Sequence, residues 1–71
     1  MTTYTFKHGV HFKDGHIIEP SYSTYTWYKT IKGALRAGER FSRSMDKYYE
    51  NVSMHAVVIV DREGIVYPTI G

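Results

Sequence analysis

From Tyr4 to Phe12 apolar and polar residues alternate, with Tyr4, Phe6, Val10 and Phe12 on one side and Thr5, Lys7, Gly9 and His11 on the other. That is the period of a half-buried strand. Asp14-Gly15 ends it. A two-residue turn would set Val10 opposite Glu19 and Phe12 opposite Ile17. A three-residue loop, with a type I turn and Gly15 in the left-handed region, instead pairs Val10 with Ile18 and Phe6 with Tyr22. This keeps apolar residues on one face and is the register expected. The hairpin then runs from about Thr3 to Tyr22. Pro20, with no N–H for a ladder, puts its second strand at an edge or in a bulge.

From Thr26 the period changes. Trp27, Ile31, Ala34, Leu35, Gly38, Phe41, Met45 and Tyr49 recur at three and four, as on the buried face of an amphipathic helix. Thr24 or Thr26 suits its N-cap and Asn51 its end. Gly33 and Gly38 each oppose a helix by about 1 kcal/mol relative to alanine. Gly38 falls in the centre of the apolar face, where a missing side chain lets a sheet come close; Gly33 has no such role and marks a weak point. The tail reads as two more strands, about Met54 to Val60 and Ile65 to Ile70. Asp61-Arg62-Glu63-Gly64 joins them and repeats the first loop's chemistry. The expected fold is a single α+β domain over residues 1–71. Its order is ββαββ, a four-stranded, mostly antiparallel sheet with one helix on one face and the strand order open.

With 71 residues, such a domain buries only about 60% of the surface its unfolded chain exposes. It has no cysteine, so packing alone must hold it. No basic segment leads into a signal-like apolar run, and no stretch approaches the roughly 18 apolar residues of a membrane span. The expectation is a soluble cytoplasmic protein, in the host cytoplasm if phage-encoded. The net charge of +2 averages over faces and does not locate the charge.

The helical segment does locate it. At 100° per residue, Lys29, Lys32, Arg36, Arg40, Arg43 and Lys47 fall within an arc of about 80° opposite the apolar stripe, interrupted only by Glu50, and rise over roughly 27 Å. Six of the nine cations thus form one ridge. Glu39 and Asp46 make an acidic shoulder, with Glu39 four residues before Arg43 in the favourable order for a pair. Such a ridge is either ordinary solvated surface or a face for anions, nucleic-acid phosphates or an acidic protein surface.

One helix covers one face of a sheet, yet the last hairpin is apolar on both. Ala56, Val58, Val60, Val66 and Ile70 lie on one side, and Val57, Ile59, Ile65 and Tyr67 on the other. The second set, rimmed by Thr5, Lys7, His11 and Ile17, is expected to face outward as a surface for a protein partner or a homodimer. Of the many aromatics, Trp27 and Tyr49 fit the core, while Tyr25, Tyr28 and Tyr48 fit contact with a partner or an unpaired base.

Catalytic and metal chemistry finds little purchase. His8 and His11 fall on opposite faces of a strand, and His16 and His55 lie elsewhere, so neither a metal site nor a cofactor is expected. "KGALRAG" lacks the ending of a phosphate loop. Asn51-Val52-Ser53 matches a glycosylation acceptor but reads more simply as a helix end. The least implausible enzyme is a small histidine-dependent ribonuclease; a non-enzymatic protein is the expectation.

A small cysteine-free α+β chain with two hairpins, an amphipathic helix and no catalytic motif resembles the accessory proteins of bacteriophages, including anti-CRISPR proteins. The resemblance covers size and layout, and carries no site residue across. It implies a stoichiometric inhibitor of a host protein or nucleoprotein complex. The alternative is a nucleic-acid-binding module that uses the ridge.

Overall fold

The computed structural model describes residues 1–68. Its elements are β1 (Tyr4–Phe12), β2 (Ile17–Tyr22), α1 (Ile31–Met45), β3 (Val52–Asp61) and β4 (Val66–Tyr67), the expected ββαββ order. The strands form one antiparallel sheet in the order β2-β1-β3-β4. The rest of the predicted fourth strand, Thr69 and Ile70, lies outside the described residues.

The first turn forms as its residues dictate. Gly15 takes φ 93°, its N–H donates to the Phe12 carbonyl at 3.0 Å, and the Asp14 carboxylate accepts from the His16 N–H at 2.9 Å. Val10 pairs with Ile18, but Tyr22 lies opposite Lys7 rather than Phe6. The slip arises because Glu19 and Pro20 together oppose Gly9, a bulge that places Pro20 on an edge strand. The backbones approach closely there: a Cβ on Gly9 would stand 2.5 Å from the Ile18 carbonyl oxygen.

The helix is shorter than its apolar periodicity. Tyr28 exchanges both backbone hydrogen bonds with Tyr4, at 2.8 and 2.6 Å, which holds it extended and leaves Trp27 and Lys29 outside α1. Thr30, rather than Thr24 or Thr26, is the N-cap, its Oγ1 accepting from the Gly33 N–H at 2.9 Å. Gly33 therefore sits in the capped first turn. Asn51 takes the left-handed conformation, φ 61°, but ahead of β3 rather than at the end of α1.

Ala34, Gly38 and Ser42 recur at every fourth position along the line where α1 meets the sheet. All three are small, so the helix sits low. A Cβ on Gly38 would come within 2.6 Å of Val57 Cγ1, which is the close approach its position predicts. Phe6, Ala34 and Ile59 form the buried centre, with Leu35, Phe41, Val57 and Tyr67 packed around it.

The pairing of β1 with β3 reverses the expected assignment of faces. Phe6 lies opposite Ile59 and His8 opposite Val57, so these residues share a face beneath α1. Tyr67, opposite Ile59, joins them. Val57, Ile59 and Tyr67 are thus on the covered side; Ile65 is exposed in the β3–β4 turn. The side away from α1 carries Met54, Ala56, Val58 and Val66 with Lys7, His11 and Ile17. Its far end is closed: Thr5 and Val60 are buried, Thr5 donates to the Thr26 carbonyl at 2.9 Å, and the segment joining β2 to α1 crosses there.

Candidate functional site

The six cations of the ridge are all exposed. Lys32, Arg36, Arg40 and Arg43 stand on α1 over about 16 Å, while Lys29 precedes the helix and Lys47 follows it. Glu39 and Arg43 do not pair: among the described residues the one contact within 4.0 Å between a carboxylate and a basic group joins Asp46 to His55. That contact alters the acidic shoulder. Asp46 turns toward the sheet, so Glu39 alone remains beside Arg36, Arg40 and Arg43, with which it lines a shallow depression.

Arg40 also borders a second concavity, between the flank of α1 and the crossover, lined by Ala37, Phe41, Tyr28, Ser23 and Thr24 among others. Ser23 and Thr24 in turn border a third, of about 450 Å³, walled by Tyr22, Tyr25 and Trp27. Ser23 donates to the Ser21 carbonyl and Thr24 accepts from the Thr26 N–H, so both hydroxyls brace the loop and the rings form the walls. Two cations stack on those rings, Lys7 at 4.7 Å from the Tyr22 centroid and Arg62 at 4.4 Å from that of Trp27.

The contact aromatics divide. Tyr25 is 102% exposed and Tyr48 75%, whereas Tyr28 is partly buried against the core through its bridge to Tyr4. Trp27 does not join the core beneath α1; it lies half-buried in the crossover, under Arg62. Tyr49 packs edge-on against Phe12.

Sequence spacing gave no sign of a polar chain beneath the end of α1. His8 on β1, His55 on β3 and Asp46 just past α1 meet in series, His8 Nε2 to His55 Nδ1 at 2.8 Å and His55 Nε2 to Asp46 Oδ1 at 2.5 Å. A neutral His55 that donates from Nε2 to the Asp46 carboxylate has Nδ1 left to accept from His8. Burial and the neighbouring His55 push His8 below the usual histidine range. His55 addresses its two neighbours with different nitrogens, so the three do not converge on one point. Among the described residues no group of three or more such side chains is placed to hold a metal ion. Nor is any helix there long and apolar enough to cross a membrane.

Comparison with protein-family models, with curated proteins and with solved structures returned no match.

Proposed function

We propose that the protein is a non-enzymatic binding protein that acts stoichiometrically, presenting the outer face of α1 to an anionic partner. The observation that carries this reading is the row Lys32, Arg36, Arg40 and Arg43, exposed and without a carboxylate partner, from which Asp46 has been drawn away. Natural surfaces mostly intersperse the two signs, so a row of four cations with Glu39 alone beside it suits steering toward opposite charge. The resemblance to phage inhibitors favours a host protein or nucleoprotein complex as partner. The second reading, a nucleic-acid-binding module that uses the ridge, is favoured by the exposure of Arg36, Arg40 and Arg43, whose guanidinium groups suit phosphate oxygens.

The test is a pull-down from host lysate, with and without nuclease, comparing the wild type with an Arg36→Glu, Arg40→Glu, Arg43→Glu variant of verified fold. The inhibitor reading expects a discrete protein that survives nuclease and is lost in the variant. Nucleic acid alone, lost in the variant, supports the second reading. Capture unchanged by the variant removes the ridge from function.

A further inference from the structure

The arginines of α1 have unlike neighbours on their two sides. At 100° per residue, Glu39 falls about 60° to one side of Arg36, while Ala37, Phe41 and Ser44 each follow an arginine by one and form a parallel row about 100° to the other side. That row lies between the arginines and the buried line of Ala34, Gly38 and Ser42. With Tyr28, Ser23, Thr24 and the buried Phe6 it lines the shallow groove of about 320 Å³ between α1 and the crossover. Arg40 is the one charged residue of that lining, so no carboxylate borders the groove. Phe41 is held as an apolar wall by Phe6 and His8, whose ring centroids lie 5.6 and 5.1 Å from its own. The hydroxyls are spent on backbone: Ser44 donates to the Phe41 carbonyl at 2.8 Å, Ser23 donates to the Ser21 carbonyl, and Thr24 accepts from the Thr26 N–H.

We propose that this groove seats an apolar side chain of an acidic protein partner whose carboxylates lie on Arg36, Arg40 and Arg43. The inference rests on the reading of α1 as an anion-binding face and names the chemistry of its partner, an acidic segment with a leucine or similar residue beside its carboxylates. Protein interfaces draw their affinity from apolar anchors seated in pockets, with charge at the rim. Here the groove and the cations are adjacent rows of one helix, and Arg40 borders both. Charge complementarity orders the partner: carboxylates along the arginines, the apolar side chain one row inward. A nucleic-acid duplex supplies anions as phosphates but no apolar side chain for the groove beside them.

The experiment titrates the isotope-labelled protein, followed by NMR at low salt, with three probes. The first is a synthetic helical peptide with a glutamate at every third or fourth position and one leucine beside them, the second its copy with serine for the leucine, and the third an oligothymidylate. The leucine peptide should bind about tenfold tighter than the serine copy and shift the amide signals of Ala37, Phe41 and Ser44. Ala37→Gln, which fills the groove with a neutral side chain, should remove that preference and leave the affinity for the serine copy unchanged. Arg36→Glu with Arg40→Glu should abolish binding of both peptides. Equal affinity for the two peptides, or a preference that survives Ala37→Gln, overturns the groove while the anion-binding face stands. Binding of neither peptide overturns the groove and the acidic protein partner together. Oligothymidylate bound in their place, and lost with Arg36→Glu and Arg40→Glu, assigns the ridge to nucleic acid instead.

Discussion

His8 and His55 face each other ring to ring across neighbouring strands, Nε2 to Nδ1 at 2.8 Å, and only one proton fits between them. Histidines usually mark chemistry at a surface. Here the pair fastens β1 and β3 to the end of α1 through Asp46, and its consequence is a dependence of stability on pH.

His8 is held below its ordinary value of 6.5 by burial and by His55, so the unfolded chain takes up a proton that the folded chain refuses. Stability from this source is fully present above 6.5 and falls as pH drops through 6.5 toward the lowered value. Thermal unfolding should therefore show a lower midpoint at pH 5 than at pH 7.5. His8→Phe, which keeps the edge contact with Phe41 and cannot take a proton, should flatten that difference; an equally steep profile in the variant assigns the effect elsewhere.

Asp61 gives a second acid-sensitive point at lower pH. Burial alone would raise its pKa. Hydrogen bonds from the Tyr67 hydroxyl at 2.8 Å and from the N–H groups of Ile65 and Glu63 at 3.0 and 2.8 Å outweigh burial and hold it low. The stabilisation is present above the ordinary 3.8 and lost as pH falls through the depressed value. Tyr67 has the opposite sign. Its hydrogen bond to Asp61 and its burial raise it, so its contribution is present below 10.0 and lost as pH climbs through the raised value. Asp61→Ala should lower the melting temperature at pH 7 and loosen β4, seen as faster amide exchange at Ile65 and Tyr67. Unchanged exchange would remove Asp61 from the turn's support.

Gly38→Ala improves helix propensity by about 1 kcal/mol, yet its Cβ would meet Val57 Cγ1 at 2.6 Å and Phe6 Cγ at 3.2 Å. Overpacking of this kind costs about 1–3 kcal/mol. A net fall of several degrees in melting temperature is expected, growing with Gly38→Val. A stabilised Gly38→Ala variant would mean that α1 rides higher over the sheet.

Gly9→Ala tests the bulge. The added Cβ would lie 2.5 Å from the Ile18 oxygen and 2.8 Å from the Pro20 nitrogen, both backbone atoms that cannot turn aside. Loss of the β1–β2 register is expected, read as lost protection of the β1–β2 amides while those of β1 with β3 survive.

The parts of this fold that were legible in the sequence are local. Gly15 and Gly64 announce turns because a positive φ selects glycine, and Gly38 announces close packing because it interrupts an apolar stripe at its centre. What escaped is long-range. Whether Ile59 or Val60 faces the helix depends on which of them lies opposite Phe6, and an apolar run offers no parity with which to choose. Trp27 fits the helical stripe until its neighbour Tyr28 is found bridged to Tyr4, which keeps both out of the helix. The same limit hid Asp46, His8 and His55, which come from three elements and share no spacing. Within α1 the exposure of Lys32, Arg36, Arg40 and Arg43 followed from periodicity, but the diversion of Asp46 did not.

β1 occupies an interior position in the sheet, and the strand on its other side is β3, joined to it from Phe12 with Val52 at one end to Tyr4 with Asp61 at the other. During synthesis β1 can find β2 almost at once, but it waits for β2, the crossover and all of α1 before β3 exists. Native contacts of such long sequence separation slow folding. The nascent hairpin alone is at best marginally stable, so the folded state should form in a single late step once β3 closes over it.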